Sequence, residues 1–167
     1  IIENLTVNCN DAKNTLFTVN ATNISIQNNI INFVGAQNAS DIFAIYAELA
    51  DNLNIQANTI TYVGKTDGSG ANGAVYVSNS ENVNVEGNTL NITIPSGDVD
   101  WSTGIALTSG VKFLSCGGLE FIQNTIELIT EASVGSYPTV YVIDISKSDN
   151  VVFDSNNVTA KSYVNSS

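Results

Sequence analysis

The stretch Asn82-Val-Asn-Val-Glu-Gly-Asn-Thr-Leu-Asn91 decides how this chain is read. Apolar residues alternate with polar ones at Val83 and Val85, an Asn stands at the seventh place, and a second alternation begins at Leu90. The same pattern stands upstream at Asn52–Ile60 and Asn23–Ile31, and downstream at Gly118–Ile126 and Asn150–Val158. The seventh residue is Asn in every copy: Asn29, Asn58, Asn88, Asn124 and Asn156. The gaps between them are 29, 30, 36 and 32 residues, inside the range that signals a repeat architecture.

Each repeat holds three short alternating runs. The middle one carries Ile24/Ile26, Leu53/Ile55, Val83/Val85, Leu119/Phe121 and Val151/Phe153. The run after the Asn carries Ile31/Phe33, Ile60/Tyr62, Leu90/Ile92, Ile126/Leu128 and Val158/Ala160. A third run precedes the template, with Leu16/Thr18, Ile45/Ala47, Val75/Val77, Val111/Phe113 and Ile143/Ile145. Period-2 alternation places one face in a core and the other in water, and no helical spacing is found. The junctions between runs lack the two-residue hairpin loops that antiparallel pairing favours. The chain is therefore expected to coil, with each strand parallel to its copy one turn earlier. Equivalent side chains then stack in columns. Asn suits a corner of such a coil because it tolerates the left-handed conformation. Its amide can also bond to the Asn above and below it. The five Asn are read as a structural ladder rather than as catalytic groups.

Composition narrows the function. The chain has 167 residues, one domain's worth. Its net charge is −11, it has no His, and its five cations are all Lys. Nucleic-acid binding needs a basic footprint, so that class is disfavoured, and an anionic membrane surface is disfavoured for the same reason. No apolar run is long enough to span a bilayer. No basic segment followed by an apolar one opens the chain. Because both termini fall within periodic material, the chain is expected to be a segment of a longer surface protein.

Residues 16–160 resemble a right-handed parallel β-helix of the pectate-lyase-like superfamily. The Asn-rich, Arg-free composition is most similar to the adhesin-like surface proteins of methanogenic archaea. The expected fold is all-β: one domain over residues 1–167, a single-stranded parallel β-helix of about five coils with three short strands each. The resemblance implies an extracellular, cell-surface location. It also implies a non-catalytic module, a stiff acidic spacer that offers a lateral face to glycans or to surface proteins of another cell. The competing expectation is a polysaccharide lyase or glycoside hydrolase of the same fold. Lyases of this fold use a basic residue near Ca²⁺-binding acids, whereas this chain has no Arg and scattered Lys. Hydrolases need two carboxylates about 5–9.5 Å apart. Asp51, Glu81 and Asp149 form an acidic column before the template run, but no neighbouring basic residue is expected beside them.

Two ligand surfaces are legible. Loops between the second run and the next third run leave the coil on one edge. Two of them carry Asp67, and Asp98, Asp100 and Trp101, with Tyr137 expected nearby. Carboxylates with loop carbonyls suit Ca²⁺, and an aromatic ring beside polar groups suits a sugar. No complete calcium signature is present, so the metal is left open and no other cofactor is expected. The second surface is the outward column of the third run: Phe17, Tyr46, Tyr76, Lys112 and Asp144, with Glu48 beside it. Such aromatics equally stabilise a sheet by cross-strand stacking.

Other expectations concern the irregular places. Asn4–Asn10 matches the template but leaves only about 19 residues for its coil, taking the column spacing from Asn10 to Asn29. Thr103–Thr108 is an extra strand or an outward loop. Cys9 and Cys116 lie about 15–19 Å apart at one strand spacing per coil, beyond disulfide reach. Cys116 belongs to a column of small residues with Ala21, Ala50, Ser80 and Ser148. Sequons at Asn4, Asn20, Asn23, Asn38, Asn91, Asn157 and Asn165 could carry glycans in an exported protein. Unpaired strand edges at the terminal coils make end-to-end self-association an expectation.

Overall fold

The computed structural model describes residues 1–36, 42–64, 72–95, 108–133 and 140–165. Every regular element among them is a β-strand, numbered β1 to β17 in chain order, and all pairing is parallel. The first sheet stacks β1 (Ile2–Glu3), β4 (Ser25–Gln27), β7 (Asn54–Gln56), β10 (Glu81–Glu86), β13 (Gly117–Ile122) and β16 (Val152–Asp154). The second stacks β2 (Thr6–Ala12), β5 (Ile30–Gly35), β8 (Thr59–Val63), β11 (Thr89–Ile94), β14 (Thr125–Ser133) and β17 (Asn157–Asn165). The third stacks β3 (Phe17–Val19), β6 (Ile42–Glu48), β9 (Asn72–Ser78), β12 (Thr108–Leu114) and β15 (Val140–Ser146). The chain is an all-β parallel solenoid. Its count differs from the expected five coils, since two sheets hold six strands and one holds five.

The core is made by the alternating columns. Ile26, Ile55, Val85 and Phe121 pair in register in the first sheet, and each has no exposed surface. Ile31, Ile60, Leu90 and Ile126 pair in register in the second sheet and are likewise buried. Stacking equal positions lets equal shapes meet. Phe33 lies flat on Tyr62 with centroids 5.5 Å apart, and Phe121 lies flat on Phe153 at 5.4 Å. The buried Tyr62 hydroxyl donates to the Ile42 carbonyl at 2.9 Å, and burial pushes its phenol well above the usual tyrosine range. The pattern stays apolar in the last described coil, though its side chains are less buried. Val151, Phe153 and Val158 are 38%, 49% and 41% exposed.

Two register expectations are corrected. Asn4–Asn10 is not a copy of the template beginning at Asn4. Ile2 pairs with Ile26 and Val7 with Ile31, so Leu5 takes the ladder place, 24 residues before Asn29. This register sets Val7 and Cys9 over Ile31 and Phe33 and gives the coil five residues more than the pattern allowed. In the third sheet, Phe17 pairs with Ile45 and Val19 with Ala47, so Phe17 and Val19 take the places expected of Leu16 and Thr18. Val19 is 7% exposed and Phe17 packs on the core, a placement that buries more apolar surface than Thr18 offers. The segment before Val111 is described only from Thr108, which begins β12, and residues 103–107 lie outside the described residues.

Candidate functional site

The ladder is built as expected in position but not in backbone. The five Asn have ordinary φ; the residue before each is left-handed: Asn28, Ala57, Gln123 and Ser155 at φ 52–56°, and Gly87 at 63°. That residue turns the chain, freeing the Asn side chain to point along the axis. Asn58 Oδ1 accepts from both the backbone N–H and the Nδ2 of Asn29, each at 3.0 Å. Asn88 Oδ1 does the same for Asn58, Asn124 Oδ1 for Asn88, and Asn156 Oδ1 for Asn124. Each Nδ2 also donates to a carbonyl of the preceding coil: Asn58 to Ile26, Asn88 to Ile55, Asn124 to Val85 and Asn156 to Phe121. The amides of Asn58, Asn88 and Asn124 thus use two donors and two acceptor sites while only 1% exposed. Only a carboxamide offers that set, which explains why no other polar residue stands there.

A second, outer amide column went unrecognised. Asn52 Nδ2 donates to Asn23 Oδ1 and Asn82 Nδ2 to Asn52 Oδ1, both at 3.0 Å. These three are themselves left-handed, at φ 54–58°. The left-handed tolerance of Asn is used here, at the first place of the template, and the recurrence of Asn at that place was its signal.

The outward face of the third sheet brings together part of the expected column. Tyr46 and Tyr76 pair in register and stack with centroids 5.0 Å apart at 12°. Tyr46 donates its hydroxyl to Glu48 at 3.0 Å. Lys112 pairs with Tyr76 and with Asp144, and its ammonium lies 3.4 Å from the Asp144 carboxylate. Phe17 does not belong to this column, because Thr18 pairs with Tyr46. Phe43 joins it instead. Phe43 is 3% exposed, with its ring 5.1 Å from that of Tyr76 and 6.2 Å from that of Tyr46. Gly73, paired with Phe43, has no room for a side chain: a Cβ there would sit 2.0 Å from the Ser109 carbonyl oxygen.

The third-to-first-sheet corner holds a groove of about 430 Å³, lined among others by Asp51, Glu81, Asp149, Lys147 and Asn79. The acidic column is interrupted by Gly117, which pairs with Glu81 and bridges to Asp149. A Cβ at Gly117 would meet Asp149 Oδ1 at 3.1 Å and Glu81 Cδ at 4.0 Å, so the two carboxylates face each other across the gap. Asp51 Oδ1 accepts the Glu81 backbone N–H at 2.9 Å. The expectation that no cation flanks these acids is corrected, since Lys147 lines the same groove. Stacking every coil at this corner would have shown it: Leu49, Asn79, Ser115 and Lys147 occupy one left-handed place, φ 49–54°. Behind them runs the small-residue column. Ala50 N–H donates to Ser80 Oγ, and Cys116 N–H to Ser148 Oγ. Ala50, Ser80 and Cys116 are buried, whereas Ala21 is exposed. Burial pushes the Cys116 thiol up, away from reactive thiolate, and Cys9 and Cys116 are both free.

Asp67, Asp98, Asp100, Trp101 and Tyr137 lie outside the described residues. Among the described residues no group of three His, Cys, Asp or Glu side chains could hold a metal ion. No family model, curated protein or solved structure matches the chain.

Proposed function

We propose that the chain is a non-catalytic, adhesin-like β-helix module of the pectate-lyase-like kind, working outside the cell as a stiff acidic spacer with a lateral binding face. One observation carries this reading: the saturated amide ladder that runs from Asn29 to Asn156 through the interior. Backbone and side-chain hydrogen bonds both run along the axis, and that makes a rod stiff in the direction a spacer must resist. A net charge of −11 on an Asn-, Ser- and Thr-rich exterior keeps such a rod soluble and away from polyanions.

The Tyr46–Tyr76 face with Glu48 and the Lys112–Asp144 pair is the lateral surface we assign to glycans or partner proteins of another cell. A glycan array probed with the protein and with a Tyr46→Ala/Tyr76→Ala double variant tests it. Binding lost in the variant supports the assignment; binding that survives, or a blank array, retires it. Calcium at the loop acids is a subsidiary proposal from sequence. A melting temperature that rises with Ca²⁺, and does not in Asp67→Ala, supports it, and a flat titration ends it.

A second reading, a polysaccharide-active enzyme, is favoured only by the corner where Glu81 and Asp149 face across Gly117 beside Lys147. Release of reducing or unsaturated ends from acidic or neutral polysaccharides, lost in Glu81→Gln, would replace the spacer reading.

A further inference from the structure

Two columns of amides climb the outside of the first sheet, and both lose their donors at the same coil. The corner column is Asn23, Asn52, Asn82, Gly118 and Asn150, all left-handed at φ 48–58°. Asn52 Nδ2 donates to Asn23 Oδ1 and Asn82 Nδ2 to Asn52 Oδ1. Gly118 then stands where the next Asn would donate. A Cβ there would lie 3.3 Å from Asn82 Oδ1, so that oxygen faces the place of the missing side chain.

The neighbouring column is Ser25, Asn54, Asn84 and Glu120, paired in register. Glu86 fixes its polarity, since a carboxylate only accepts. Glu86 Oε2 takes Gln56 Nε2 at 2.6 Å, Gln56 Oε1 takes Asn54 Nδ2 at 2.8 Å, and Asn54 Oδ1 takes Asn84 Nδ2 at 3.1 Å. Asn84 Nδ2 also reaches Glu86 Oε2 at 3.4 Å. Turning the Asn84 amide over would set its oxygen against two acceptors. Its Oδ1 is thereby held away from them, and it is buried with no hydrogen-bond partner. The next residue of the column, the exposed Glu120, has no donor to give as a carboxylate.

Asn82, Asn84 and Glu120 line one hollow of about 250 Å³ with Val83 and Gly118. It sits between the coils of β10 and β13, with a further coil on either side. Oxygens collect there while the Nδ2 groups of both Asn are spent on the preceding coil. A buried oxygen without a partner is costly and calls for a donor or a cation.

We infer that the hollow between Asn82, Asn84 and Glu120 is a cation site that takes Ca²⁺. Ca²⁺ accepts carboxylate, carboxamide and water oxygens together in a flexible shell at about 2.3–2.6 Å. A single carboxylate among neutral oxygens suits the weak end of its range. A sugar fits less well, because the hollow offers acceptors alone. The site goes beyond the spacer reading and is separate from the calcium proposed at Asp67.

The test is a titration with CaCl₂ followed by nitrogen-15 NMR of the Asn82 and Asn84 side-chain amides. Both signals should shift and saturate with a dissociation constant of about 10⁻⁴–10⁻³ M, while NaCl at matched ionic strength leaves them in place. Glu120→Gln replaces the carboxylate with a group that can donate to Asn84 Oδ1, and should weaken the response at least about tenfold. Asp67→Ala should not change it. If Glu120→Gln fails to fold by circular dichroism, Gly118→Asn makes the same test, since Asn suits φ +57° and extends the corner column onto Asn82 Oδ1. Signals that ignore CaCl₂, that move equally with NaCl, or that respond as strongly in a folded variant overturn the inference. So does a response that Asp67→Ala removes.

Discussion

The chain turns from the third sheet to the first, and again from the first to the second, in every complete coil, and the two corners are built on opposite plans. The first-to-second corner repeats one solution. A left-handed residue is followed by an Asn whose amide is used up on neighbouring coils. The third-to-first corner varies. Its inner place is Ala50, Ser80, Cys116 or Ser148, and its outer place is Asp51, Glu81, Gly117 or Asp149. A buried polar column tolerates no change because each member satisfies two neighbours, whereas a column of small or solvated groups needs only the right volume. Rigidity is therefore assigned to one corner, and freedom to diverge to the other.

The sharpest way to break this contrast is Asn88→Ala. In a site 1% exposed it removes the Oδ1 that accepts from the Asn58 backbone N–H and Nδ2, stranding both donors, and the Nδ2 bonds to Ile55 O and Asn124 Oδ1, the latter keeping only the Asn88 backbone N–H. A loss of about 3 kcal/mol or more in urea denaturation is expected, since each stranded buried group costs about 1–3 kcal/mol. A loss below about 1 kcal/mol would show that the ladder is ornamental.

Alkaline pH probes the variable corner. Burial raises the Cys116 thiol and, more strongly, the Tyr62 phenol above their unfolded values. The unfolded chain then releases these protons first, so it binds fewer protons than the native state and stability falls as pH rises. The decline should begin near the ordinary thiol pKa of about 8.5 and steepen past the tyrosine value of about 10. Cys116→Ser should delete the first part of the decline and leave the second. At neutral pH it should change stability by less than about 1 kcal/mol, because Ser80 already fills that column one coil away. A thermal melt series from pH 7 to 11 reads both.

Gly87→Ala isolates the backbone cost of the invariant corner. Gly87 has φ +63° and open space within 4 Å of where a Cβ would stand, so the change adds strain without a clash. A loss of about 1 kcal/mol is expected. Ala57 occupies the same place at φ 52°, which shows that the fold sustains that cost. Smallest is Glu81→Gln at the variable corner, expected within about 0.5 kcal/mol because the side chain is exposed. A larger effect would show that the acidic column carries more of the fold than its solvation implies.

Much of this architecture was legible because a solenoid writes its geometry into the sequence. Period-2 alternation gave the buried columns, and the five Asn at the seventh place gave the ladder. The ends were misread for the same reason. In Asn4–Asn10 the local pattern fits two registers, and only the pairing of Val7 and Cys9 with Ile31 and Phe33 on the next coil chooses between them. The place of Phe17 is likewise set by its pairing with Ile45 on the next strand. At the acidic corner, Glu81 and Asp149 face each other across Gly117, and Lys147 shares their groove with Glu81, only because coils more than 30 positions apart are stacked.

Sequence alone determined that this chain winds, which residues point inward, and where the amides recur, because those follow from alternation and spacing along a single strand. Tertiary structure decided the register at the first coil, which residue at each corner takes the left-handed turn, and the direction of the ladder. Those are set by contacts between coils, and a hydrogen bond between Asn58 and Asn88 has a donor and an acceptor end only once one coil rests on the next.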